Sequence, residues 1–188
     1  MRGTGIYRMT KQDVMISIHT ERWGASIPLF QLGEGDLDED HDGEEYTEEL
    51  SDLEEENNDE PEVAELLMEG RLVTTMRRAE LVYEESELTG MEGAVTKIGF
   101  ERGMPELISM LRGGSVSTAL IFEQGKRHMC VYQTPFASLE VCVQTLKVCN
   151  ELLTRGTLWL DYLIEIHGAR TERCKMMLTI RGAMQDGN

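Results

Sequence analysis

The sequence has no cluster of Lys or Arg. That absence argues against nucleic acid as a partner, because phosphate binding draws its affinity from grouped cations that release counterions. Anionic membrane surfaces are disfavoured for the same reason. No run approaches the ~18 apolar residues of a membrane helix, and the N-terminal segment lacks the apolar stretch of a secretory signal. The four cysteines, Cys130, Cys142, Cys149 and Cys174, show no CxxC spacing and sit in strand-like runs. They read as small buried hydrophobes kept reduced, which excludes a disulfide framework and places the chain in the cytoplasm. No second His stands at zinc-ligand spacing, no nucleophile can be paired with a base, and no cofactor motif is present. Membrane, nucleic acid and cofactor all drop out of the expected partners.

What the sequence does have is negative charge, and nearly all of it in one place. The 188 residues carry 18 Lys plus Arg against 35 Asp plus Glu, a net charge of −17. Residues 33–62 hold 17 of those acids and no base, so the remainder is neutral, with 18 of each sign. Such a segment buries too little to order itself and reads as a disordered acidic insertion. Removing it leaves enough chain for one domain that hides roughly 70% of its unfolded surface. The expected organisation is a flexible extension over 1–11, one domain over 12–181 interrupted by 33–62, and a flexible tail over 182–188.

Outside the insertion the apolar residues recur at every second position, the period of strands with one face buried. Val14, Ile16 and Ile18 alternate with Asp13, Ser17 and His19; Leu158, Leu160, Tyr162, Ile164 and Ile166 alternate with Asp161, Glu165 and His167. Cys174, Met176, Leu178 and Ile180 follow, after a short turn around Gly168 that makes a hairpin. Further strands are expected over 63–75, 79–85, 94–100, 106–112, 116–123, 126–133 and 138–148, with glycines between them and no helix. Nine or ten strands joined in order form a meander, which must close or fold over to hide its edges. An all-β, antiparallel up-and-down barrel of about 8–10 strands is expected, a sandwich being the alternative.

The run Tyr83, Glu84, Glu85, Ser86, Glu87, Leu88, Thr89, Gly90, Met91, Glu92, Gly93 carries a resemblance, as do Phe122 to His128 and Tyr132 to Pro135. Over about residues 12–19 and 62–181 the chain resembles the YwiB-like family of uncharacterised bacterial proteins. What the resemblance implies is a calycin-like, lipocalin-like barrel, cytoplasmic, with no assigned reaction, cofactor or catalytic residue. The chain departs from the family at Phe136 and Ala137, in place of Tyr and Gly, at Met76, in place of a turn Gly, and in its long insertion. Residues 1–8, ahead of Met9, read as an upstream extension.

Several groups invite chemistry. Asp38, Asp40, Asp42, Gly43 and Glu49 match the D-x-D-x-D-G-x5-E spacing of a calcium loop, in which alternate carboxylates wrap a hard cation. Against that, Glu45 replaces an aliphatic residue, and Pro28, Gly33 and Gly35 replace the leading helix, so a solvated linker is the competing view. Glu84, Glu85 and Glu87 read as a wet, solubilising connection rather than an acid–base pair. His128 shares a strand face with Cys130 and Tyr132, which either lines the barrel or covers its outside. Arg112 ends a strand before Gly113 and Gly114, and Tyr132, Thr134 and Pro135 end another. If those ends meet at one mouth, Arg112 becomes an anion or carboxylate clamp, with Tyr83, His128, Tyr132 and Thr134 as companion ligand contacts. The alternative for Arg112 is a strand-end residue satisfying carbonyls. Met68, Met110, Met129, Met176 and Met177 read as core filler.

The functional expectation is a non-enzymatic module that holds a small, mainly apolar molecule in its barrel. An interaction protein, with a filled barrel and an acidic loop that meets a basic protein, is the alternative. An enzyme acting on a small molecule is a third.

Overall fold

In a computed structural model of the chain, residues 9–24, 60–89, 91–166 and 170–182 are described. Ten strands run in chain order: β1 (Thr10–Trp23), β2 (Glu62–Thr74), β3 (Arg78–Glu84), β4 (Val95–Glu101), β5 (Met104–Gly113), β6 (Ser117–Glu123), β7 (Arg127–Gln133), β8 (Ser138–Glu151), β9 (Thr157–Ile166) and β10 (Arg170–Gly182). Each pairs antiparallel with its sequence neighbour, and β1 also pairs with β10, from Val14 opposite Gly182 to Trp23 opposite Arg173. The meander therefore closes on itself, so that no strand stands alone at an outer edge.

Period-two patterning decides which way each strand faces. Ile16, Leu81, Ile98, Ile108, Phe122, Val143, Leu158, Leu160 and Leu178 all have 0% of their surface exposed. They belong to one cluster of buried apolar side chains that forms a core in the middle of the tube. A bulge keeps the pattern of β8 in phase, and a glycine on β2 relieves a close contact. The β8–β9 ladder shifts between Thr145 and Lys147, and the extra residue lets both Thr145 and Val148 point inward. On β2, Gly70 makes room for Ile16: a Cβ there would lie 2.3 Å from Ile16 Cδ1 and 2.9 Å from the Val82 carbonyl oxygen.

The β6–β7 seam is the wall's weakest join. Although each strand has 7 residues, only Ser117–Gln133 and Thr118–Tyr132 are in register. Inward-facing His128 and Cys130 are correspondingly half-buried, whereas Leu120 and Phe122 on β6 are buried.

Two expectations about packing fail. Among the cysteines only Cys142 and Cys174 are buried; Cys149 is exposed and Cys130 lies between. Met129 and Met177 are outward-facing positions of β7 and β10, 68% and 47% exposed, while Met110 and Met176 are core residues. For Cys149, Met129 and Met177 residue type suggested burial and strand parity overrode it, whereas Cys130 faces inward at the loosely paired β6–β7 seam. Among the described residues no helix is long and apolar enough to cross a membrane.

Candidate functional site

The interior changes character near one end of the tube, where the β3–β4, β5–β6 and β7–β8 connections lie. Following the register across the wall, Tyr83 stands opposite Thr96, Thr96 opposite Arg112, Arg112 opposite Thr118, and Thr118 opposite Tyr132. Inward parity thus strings five polar side chains into one girdle. Glu85, the next inward position after Tyr83, joins it.

The network is tightly bonded. Arg112 Nε donates to Thr96 Oγ1 at 3.1 Å and lies 3.2 Å from Glu85 Oε1. Thr96 Oγ1 donates in turn to the same Glu85 oxygen. Only 3% of the Glu85 side chain and 13% of the Arg112 side chain are exposed. Glu85 is therefore a buried carboxylate, which corrects the reading of this segment as wet throughout. Its backbone N–H donates to the Ala94 carbonyl, which extends the strand alternation by one inward position, and Arg112 neutralises the charge there.

Arg112 is likewise a committed ion-pair partner rather than a free clamp. It also reaches the hydroxyls of Tyr83 and Tyr132, and Nη2 contacts Met110 Sδ at 3.9 Å. Burial pushes the Tyr83 hydroxyl well above the usual range, with Glu85 adding to the rise and Arg112 opposing it. Burial raises Tyr132 too. A third phenol, Tyr162 of β9, packs half-buried against the core and is raised by burial; its ring meets Phe122 edge-on, with centroids 4.9 Å apart. These phenols are neutral donors near pH 7. The Thr118 hydroxyl, by contrast, is buried and has no partner at full hydrogen-bond geometry among the described residues, with only the Cys130 thiol beside it.

Just outside the girdle lies a cleft of about 310 Å³, lined by Glu87, Glu92, Ser115, Val116, Thr134, Pro135 and Phe136. Thr134 Oγ1 accepts from the Phe136 and Ala137 N–H groups and so shapes the β7–β8 turn. Met91 Sδ accepts from the Tyr132 hydroxyl at 3.6 Å.

The structure thus brings Tyr83, Arg112 and Tyr132 into one network and sets Thr134 at its rim. His128 stays apart, nearer the opposite end of β7, with Nε2 3.3 Å from Glu123 Oε2. Sequence reasoning did not assign Glu85, Thr96 or Thr118 to the site, although all three fall on the inward parity of strands that it identified. Asp38, Asp40, Asp42 and Glu49 lie outside the described residues. Among the described residues no group of three or more His, Cys, Asp or Glu is placed to hold a metal.

Fold and interior together define a closed, ten-stranded antiparallel barrel with an apolar middle and a charged, hydrogen-bonded mouth. The profile of a domain of unknown function (DUF1934) matches residues 50–178, and the chain belongs to that family. It is similar in fold to the crystal structure of the ywiB protein from Bacillus subtilis, with a TM-score of 0.56 and 14% identity over 91% of this chain and 94% of that one. No curated protein matches the chain.

Proposed function

We propose that the chain is a non-catalytic binding protein whose site is the polar mouth of the barrel. Its ligand is a small molecule with an apolar body seated on Val116, Pro135 and Phe136 and a hydrogen-bonding group that reaches the girdle. The observation that carries this reading is the Thr118 hydroxyl. A buried hydroxyl with no better neighbour than a weakly bonding thiol costs stability, and in native proteins such a group is usually met by water or a ligand. Here it lies between Arg112 and Tyr132 in the register, beside a cleft. The packed middle of the barrel argues for a ligand at the mouth rather than deep inside. Neutral phenols and a fully paired Arg112 offer donors, not a base or a nucleophile. Four free cysteines fit a reducing, cytoplasmic setting.

A fragment screen read by methyl NMR tests this. Bound fragments are expected to shift Val116, Thr118 and Thr134 while leaving Ile16 and Leu178 unmoved, and Val116→Trp, which fills the cleft, is expected to abolish the shifts. Failure of every fragment to move those methyls would sink the proposal. The filled core also favours a second reading, a structural platform whose acidic segment captures a basic protein. In that case deletion of residues 34–60 removes capture without touching fragment binding.

A further inference from the structure

At the opposite end of the tube, the loops and strand ends bring three arginines around a second cleft, of about 440 Å³. Arg102 comes from the β4–β5 turn, Arg155 from the β8–β9 turn and Arg181 from the end of β10. Leu72, Leu152, Val14 and Ile180 supply apolar lining, and Gln12 and Thr74 add neutral polar groups.

We infer that this cleft is an anion site, separate from the mouth, for a small molecule bearing at least two negatively charged oxygens, a phosphate ester or a polycarboxylate. Among the described residues neither Arg102 nor Arg181 has a carboxylate within salt-bridge distance; Arg155 meets only Glu151, at 3.5 Å between exposed side chains. Three exposed arginines thus line one cleft with a single carboxylate contact among the described residues, and an anion seated there would supply the opposite charge. Their planar forks suit a ligand with several oxygens better than a single halide ion.

The backbone holds the three in place. Ile180 N–H donates to the Gly156 carbonyl at 2.7 Å, which presses the Arg155 turn against the strand that carries Arg181. Gly156, at φ +74°, allows that approach, since a Cβ there would lie 2.7 Å from the Ile180 oxygen. Asn150 Nδ2 donates to the Pro105 carbonyl at 2.9 Å and ties the end of β8 to the start of β5, beside Arg102. Backbone fixed in this way removes part of the ordering cost of closing on a ligand, leaving that of the exposed side chains.

Titration of the full chain with pyrophosphate and with citrate, followed through the arginine Nε–Hε NMR signals, tests the inference. Saturable shifts of Arg102, Arg155 and Arg181 are expected, stronger for whichever anion class the site prefers. Arg102→Gln and Arg181→Gln are each expected to weaken binding about tenfold, with the thermal midpoint kept and Arg181→Lys restoring part of it. Chloride at matched ionic strength should leave the signals in place, and the Thr118 methyl should not respond to either anion, which separates this site from the mouth. Shifts that chloride reproduces, or affinity unchanged in both Gln variants, would overturn it.

Discussion

The Glu85–Arg112 pair sets the energetics of the mouth. Removing one member of a buried pair strands the other charge. Glu85→Gln is therefore expected to cost about 3 kcal/mol in urea unfolding, the lower end for a broken buried pair, because Arg112 keeps some contact with water. Adding Arg112→Met to that variant should recover part of the loss. The buried acids that stay protonated dictate the alkaline limit. Cys174 is pushed up from 9.0 to about 12, chiefly by burial, with Glu172 adding to the rise and Arg22 opposing it. The three tyrosines start from 10.0 and are raised as well. For such groups the unfolded chain loses its proton first, so their contribution is whole below about pH 9 and drains away as pH climbs toward the folded-state values. Denaturation midpoints should hold steady from neutrality to about pH 9 and then fall, and Cys174→Ala should flatten the first part of that fall. Glu85 itself was hidden by composition. In a run so rich in Glu, one inward-facing carboxylate looks like its wet neighbours, and its partner Arg112 is far away in sequence.

At the scale of strands and turns, period-two alternation made the elements and their inward faces readable. Val14–Ile16–Ile18 and Cys174–Met176–Leu178 show it most plainly, because one face meets a packed core and the other meets water. Register was not readable. Nothing local announces that β8 carries an extra residue after Thr145, or that β6 and β7 share only two paired positions. The girdle is a product of register, so its members could be named singly but not assembled. Turn geometry gives a test at this scale. Gly114 has φ +133°, and a Cβ there would lie 2.3 Å from the Gly93 carbonyl oxygen, backbone that cannot swing aside. Gly114→Ala is expected to cost about 2 kcal/mol and to disturb the Ser115 and Val116 signals beside the first cleft. Its neighbour Gly113 meets nothing within 4 Å, and Gly113→Ala should stay within about 0.5 kcal/mol of the parent.

For the whole molecule, the acid-rich stretch over 33–62 lies in sequence between two strands that pair directly with each other. Arg22 of β1 stands in register with Glu62 of β2, so the strands around residues 33–62 already meet as a hairpin would. Replacing residues 26–59 with a short Gly–Ser turn is expected to leave the thermal midpoint within about 4 °C, since loop-closure cost varies slowly with length. A larger drop in a melting experiment would show that the acidic stretch contributes to the barrel's stability. Closure of the meander, and with it the meeting of first strand and last, was foreseeable from the count of strands; the register of that seam was not, because those residues sit about 160 positions apart.

That pairing of β1 with β10 governs how the chain is made. At roughly 5–20 residues per second, Ile16 leaves the ribosome several seconds or more before its neighbour Ile180 has been synthesised. Throughout that interval one flank of the first strand hangs open, an invitation to stray pairing that nascent-chain guardians such as ribosome-bound chaperones exist to shield. Sewing the ends with a linker and cutting at another turn would shift which strand waits, and with it the yield of soluble product.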